Sequence, residues 1–143
     1  MSGSRVERIM TAMLTALTAP TMTAVPAASV FRDLDSALDS ELPAIVIEEG
    51  GEPAPDLSVI QRAGRHLNVR VAVLIKGTLP FSLADAALIE SFDRIMADRT
   101  LAGLAMNIEE GETKRERAML EKPVAIVTKD FIVHFRTDET SLL

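Results

Sequence analysis

Between His66 and Lys76 the apolar residues recur at every second position. Leu67, Val69, Val71, Val73 and Ile75 share one face, and His66, Asn68, Arg70, Ala72, Leu74 and Lys76 share the other. A side-chain period of two belongs to a β-strand, and five branched aliphatics in a row on one face demand an apolar layer against them. At about 3.3 Å per residue this strand runs roughly 36 Å, longer than most. It is expected to be the central strand of a sheet and to reach towards a neighbouring subunit.

The remaining elements arrange themselves around that strand. Val6, Ile9, Met10, Met13, Leu14 and Leu17 follow the i, i+3, i+4, i+7 spacing of an amphipathic helix. Thr18 to Ala28 is a Thr/Ala/Pro connector in which Pro20 and Pro26 prevent helix continuation. Ser29 to Arg32 is expected to be a short strand, and Ala44 to Glu48 a longer one, with Ile45 and Ile47 on one face and Val46 and Glu48 on the other. Pro80 and Ser82 introduce a second helix, expected over Leu83 to Ala97 with Ser82 as its cap and Asp85 three residues on. Its buried stripe is Ala84, Leu88, Phe92, Ile95 and Met96, while Asp85, Glu90, Asp93 and Arg94 belong to the wet face.

Leu101-Ala102-Gly103-Leu104 marks a turn, after which Leu104, Met106 and Ile108 alternate against Asn107 and Glu109 in a strand-like pattern, with Gly103 as a bend or bulge. The charged run Glu109 to Lys122 is compatible with an arm, a strand extension or a short helix. Val124 to Thr128 and Phe131 to Arg136 read as a closing hairpin turning at Lys129-Asp130, although Asn-Gly or Asp-Gly is the stronger signal for such a turn. The expected fold is therefore α+β: a mixed, mainly antiparallel β-sheet with two helices packed on one face and a C-terminal β-hairpin. Residues 1–143 form a single domain in this reading, with the helix over 1–18, the connector over 19–28 and the sheet, central helix and hairpin over 29–143.

Composition narrows function by exclusion. Fifteen basic against twenty-one acidic residues leave a net charge of −6, which opposes the phosphate attraction behind general nucleic-acid binding. With no cysteine there is neither a disulfide framework nor a thiolate metal site. Arg5 and Arg8 before an apolar stretch imitate a signal peptide, but Glu7 interrupts the basic region and the stretch is amphipathic. Nothing approaches the roughly 18 uninterrupted apolar residues of a membrane span, so no membrane association is expected. Only 3% of residues are aromatic, and the seven methionines are read as core filler, Met96 and Met106 included.

Chemistry-bearing constellations are equally sparse. His66 and His134 fall on strands with no nucleophile arranged beside them. Glu48-Glu49-Gly50-Gly51 lacks the following lysine of a metal-dependent nuclease site, and no phosphate-binding or dinucleotide fingerprint occurs. The expectation is a non-enzyme with no cofactor and no resident metal, working through its surfaces. Open sheet edges and the mixed polar and apolar second face favour packing against further copies.

The whole order of segments resembles the tail terminator and minor tail protein families of long-tailed, lambda-like bacteriophages. It rests on the Arg5 to Leu17 helix, Val30-Phe31-Arg32, Leu42-Pro43-Ala44-Ile45-Val46, the Val71/Val73 strand, Asp93-Arg94-Ile95-Met96, Leu101-Ala102-Gly103-Leu104 and the last apolar strand. The Thr/Ala/Pro connector departs from the family pattern. The resemblance implies a homohexameric ring in the virion, assembled in the host cytoplasm. Such a ring caps the tail tube protein, ends its polymerisation and presents a surface to the head-tail connector or head-completion protein. A head-closure or neck protein of the same virion and a cellular protein-binding module are the alternatives. Arg70, Arg94, Arg115 and Arg117 are the candidate contact residues, since Arg is enriched at interfaces. DNA would pass through such a ring without stable binding, and Asp33, Asp35 and Asp39 are the candidate channel-facing carboxylates, against the plainer reading of a solvated acidic loop.

Overall fold

A computed structural model describes residues 3–33, 43–58, 60–77, 80–119 and 123–143. Its elements are α1 (Arg5–Thr18), a 3-10 turn over Ala27–Ser29, β1 (Val30–Phe31), β2 (Ala44–Glu49), β3 (Arg62–Lys76), α2 (Pro80–Ala97), β4 (Asn107–Met119) and β5 (Pro123–Asp138). The strands form one sheet in the order β1-β2-β3-β5-β4. β1 runs parallel to β2 and every other pairing is antiparallel, so the sheet is mixed but mainly antiparallel, in an α+β fold.

Helix α1 begins where Ser4 Oγ accepts the Glu7 backbone N–H at 3.2 Å. Ser4-Arg5-Val6-Glu7 has the spacing of a capping box, a signal visible in the sequence. The helix ends at a cis Ala19–Pro20 peptide. It buries Ile9, Met10, Met13 and Leu17. Those side chains join Ile45 and Ile47 of β2, the alternate residues Leu67 to Ile75 of β3, and Ala84, Ala87 and Ile95 of α2 in the main core. The two-residue period of β3 thus maps directly onto the helix-covered face. On the opposite face Ala44, Val46, Ala72 and Leu74 form a second, smaller buried cluster.

Several local expectations are corrected. Lys129-Asp130 is not a turn: β5 runs unbroken from Pro123 to Asp138, and the hairpin-like pair is β4 with β5. The run Ala125, Val127, Lys129, Phe131, Val133, Phe135 keeps one period across the supposed turn, with Lys129 only 8% exposed on the helix-covered face. The charged run resolves to the strand extension, with β4 reaching Met119. α2 starts at Pro80, which puts Ser82 inside its first turn and not at its cap; proline needs no amide donor there and its φ already suits the helix. Met106 is 52% exposed and outside the core. The 101–104 turn takes up Leu104, so the alternation fails at Met106 while Ile108 is buried as expected, and Leu101 and Ala105 are buried beside it.

That turn is held by Asp98. Its carboxylate accepts the backbone N–H of Ala102 at 2.8 Å and both the N–H and hydroxyl of Thr100, at 3.1 and 2.9 Å. The Ala102 amide foremost, then the Thr100 groups, keep this carboxyl below its ordinary pKa. Leu101, Ala102 and Gly103 all sit at positive φ, 49°, 57° and 92°. Only the glycine does so without steric cost, so the Asp98 bonds offset the strain of its two neighbours.

Candidate interaction surfaces

One margin of the sheet is β4, the other being the two-residue β1. β4 is paired on one side with β5, and among the described residues no strand lies along its other side. Lys114, Arg115, Glu116 and Arg117 are all exposed, which places both faces of this part of the strand in solvent. Unlike an apolar edge, which pairs indiscriminately, a charged edge admits only a partner that answers its charges.

Halfway along, β4 slips register by one residue between Glu110 and Thr113. Gly111 occupies the slip, and a Cβ there would lie 2.9 Å from the Asp130 carbonyl oxygen and 3.0 Å from its Cβ, closer than packed atoms sit. The bulge turns the Gly111 carbonyl towards Lys129. Lys129 Nζ donates to Glu110 Oε1 at 2.6 Å and to that carbonyl at 3.3 Å, and it lies 6.0 Å from the Phe92 ring centre. Sequence reading had no access to this ion pair, because the lysine stands in for an apolar residue in an otherwise regular stripe.

A groove of about 760 Å³ runs between α2 and the connector, past Ile89 and Ala86. Its polar wall is structural. Glu90 accepts the backbone N–H groups of Thr23 and Ala24, both at 2.9 Å. Arg94 donates to the carbonyls of Pro20, of Thr21 at 3.2 Å and of Ala16 at 3.4 Å, and lies 3.7 Å from Glu90. Both residues were expected on a wet face; instead they clamp a segment that has no ladder partner of its own.

The two backbone N–H bonds, Thr23 first, hold the Glu90 carboxyl below its ordinary pKa of 4.5. Replacing Glu90 with Ala is expected to cost about 1–2 kcal/mol at neutral pH. A carboxyl with a lowered folded-state pKa contributes its full stability above the unfolded value. That contribution is lost as pH falls through the folded value. Wild type and Glu90→Ala should therefore converge in urea midpoint on acidification below about pH 4.5, which chemical denaturation at stepped pH measures.

The other candidate residues are dispersed. Arg70 lies on the face opposite the helices, where its Nε is 3.1 Å from Asp130 Oδ1 on β5. Arg115 and Arg117 stand on the outer half of β4, on the helix-covered side beyond the core. Asp33 is exposed just after β1, whereas Asp35 and Asp39 lie outside the described residues. His66 and His134 are cross-strand partners with ring centres 4.4 Å apart, edge to face. His134 Nε2 is 2.9 Å from Glu109 Oε1, a contact that becomes an ion pair only with a protonated ring.

Together these features define an α+β fold with two helices on one face of a mixed five-stranded sheet and a long charged margin. The same fold occurs in a chain of a solved structure described as the virion of a native gene transfer agent particle. The TM-score is 0.68 at 15% identity, over 95% of this chain and 100% of that one. No protein-family model and no curated protein matches the chain.

Proposed function

We propose that this chain is a structural protein of a phage-like virion, and that it acts there as a ring-forming tail terminator. The observation that carries the virion reading is the end-to-end fold correspondence with a chain of a gene transfer agent particle. The order of segments that resembles tail terminators supports the finer role. A subunit with helices on one face of its sheet and His66, Asn68, Arg70 and His134 on the other builds a ring whose two ends differ chemically. One end matches the last ring of tube subunits; the other offers the next tube subunit no matching site and is left for a head-side partner. Arg70, on the face away from the helices, is available for such contacts, whereas Arg115 and Arg117 lie out on the β4 margin. Arg94 drops out, because its donors are spent on the connector.

The test is to add the purified protein to cognate tail tubes that are still polymerising and to follow them by electron microscopy. A terminator caps one end as a ring and fixes tube length. Tubes that keep growing with the protein in excess would reject the role, and binding to the head-completion protein instead would assign the chain to the neck.

A further inference from the structure

Strand β4 sorts its charges by sign along its length. Glu109, Glu110 and Glu112 precede Thr113, while Lys114, Arg115 and Arg117 follow it, with Glu116 the one exception. We propose that the outer edge of β4 is a self-recognition site, occupied by β4 of a second copy running antiparallel about a two-fold axis.

The argument is charge complementarity. An edge protected merely against aggregation needs charge of one sign or a scatter of both, and either arrangement does little for a second identical strand. A segregated edge behaves differently. Placed antiparallel to its own copy, the acidic half of each strand meets the basic half of the other; placed parallel, like charges coincide. The sheet's pleat also agrees. Glu110 is opposite Phe131 and Arg117 is opposite Ala125, both core residues beneath the helices, so Glu110 and Arg117 project on the same face. A register that sets Glu110 of one copy beside Arg117 of the other therefore pairs side chains that can meet. The same register puts Glu116 opposite Gly111, which has no side chain to repel it. The two-fold axis repeats every pair. Among the described residues no other strand competes for this edge.

This contact is independent of the ring reading, since a two-fold pair closes on itself whereas a ring is built from head-to-tail contacts. The experiment uses the full chain. Light scattering across the micromolar range should show wild type as a dimer, weakening as salt rises because the pairs are exposed. The double variants R115E/R117E and E110K/E112K should each raise the dissociation constant at least about tenfold. An equimolar mixture of the two should restore a heterodimer.

Because Glu110 also neutralises Lys129, its reversal puts folding at risk, and cysteine crosslinking of an otherwise native chain supplies a second readout. The protein has no cysteine of its own. Lys114→Cys, next to the two-fold axis, should oxidise to a disulfide-linked dimer much faster than Asp93→Cys on α2. A wild type that stays monomeric throughout, or equal crosslinking at 114 and 93, overturns the proposal. An assembly unchanged in R115E/R117E overturns it too; if that assembly is a hexamer, the ring reading stands without this contact.

Discussion

Replacing Lys129-Asp130 with Asn-Gly lowers stability by about 2–4 kcal/mol, where a true hairpin turn at that place would be strengthened by it. The cost has two sources. Glycine at 130 removes a side chain from a strand that is paired on both sides, and with it the Asp130 partner of Arg70. Asparagine at 129 puts an amide where the Lys129 ammonium reached Glu110 and the Gly111 carbonyl, and the shorter side chain leaves those acceptors unmet. In thermal denaturation the melting point should fall by on the order of 10 °C. A rise in melting point would mean that the chain reverses at 129–130 and that β5 is two strands.

Phe131→Ala is expected to cost about 3–5 kcal/mol, the range for deleting a large buried aromatic. Phe131 is 1% exposed, lies beneath α2 with its ring centre 6.1 Å from that of Phe92, and sits two positions from Lys129 on the same face. The neighbouring Ile132 points to the opposite face and is only half-buried. Its replacement by Ala should cost about 1 kcal/mol or less. Urea denaturation of the two variants side by side reads the difference directly. Comparable losses at 131 and 132 would contradict the assignment of β5 residues to the two faces, and with it the placement of α2.

The candidate surface was less legible than the fold. Arg70, Arg94, Arg115 and Arg117 were chosen by residue type, which says nothing about what each guanidinium finds within reach. Arg94 finds carbonyls of a connector that returns to it from more than 70 residues away along the chain. Arg70 meets Asp130 across a strand pair, while Arg115 and Arg117 project from a free edge. Glu90 and Lys129 were missed as structural ionic groups for the same reason. Their partners are backbone amides, a carbonyl and a carboxylate supplied by other elements, and such meetings leave no trace in local spacing.

Strand β3, helix α1 and the buried stripe of α2 were present in the order of residues because burial imposes a period, two for a pleated strand and 3.6 for a helix, and each period is complete within a few neighbouring positions. The absence of cysteine excluded disulfides and thiolate metal sites on composition alone. Three-dimensional packing settled what depends on distant partners: that β5 continues through Lys129, because Glu110 and the bulge at Gly111 receive its charge; that Asp98 holds a strained turn; and that β4 stands at the margin with its charges outward. A lysine in an apolar stripe can mean either a turn or a buried ion pair, and only the arrival of a carboxylate from another strand distinguishes the two.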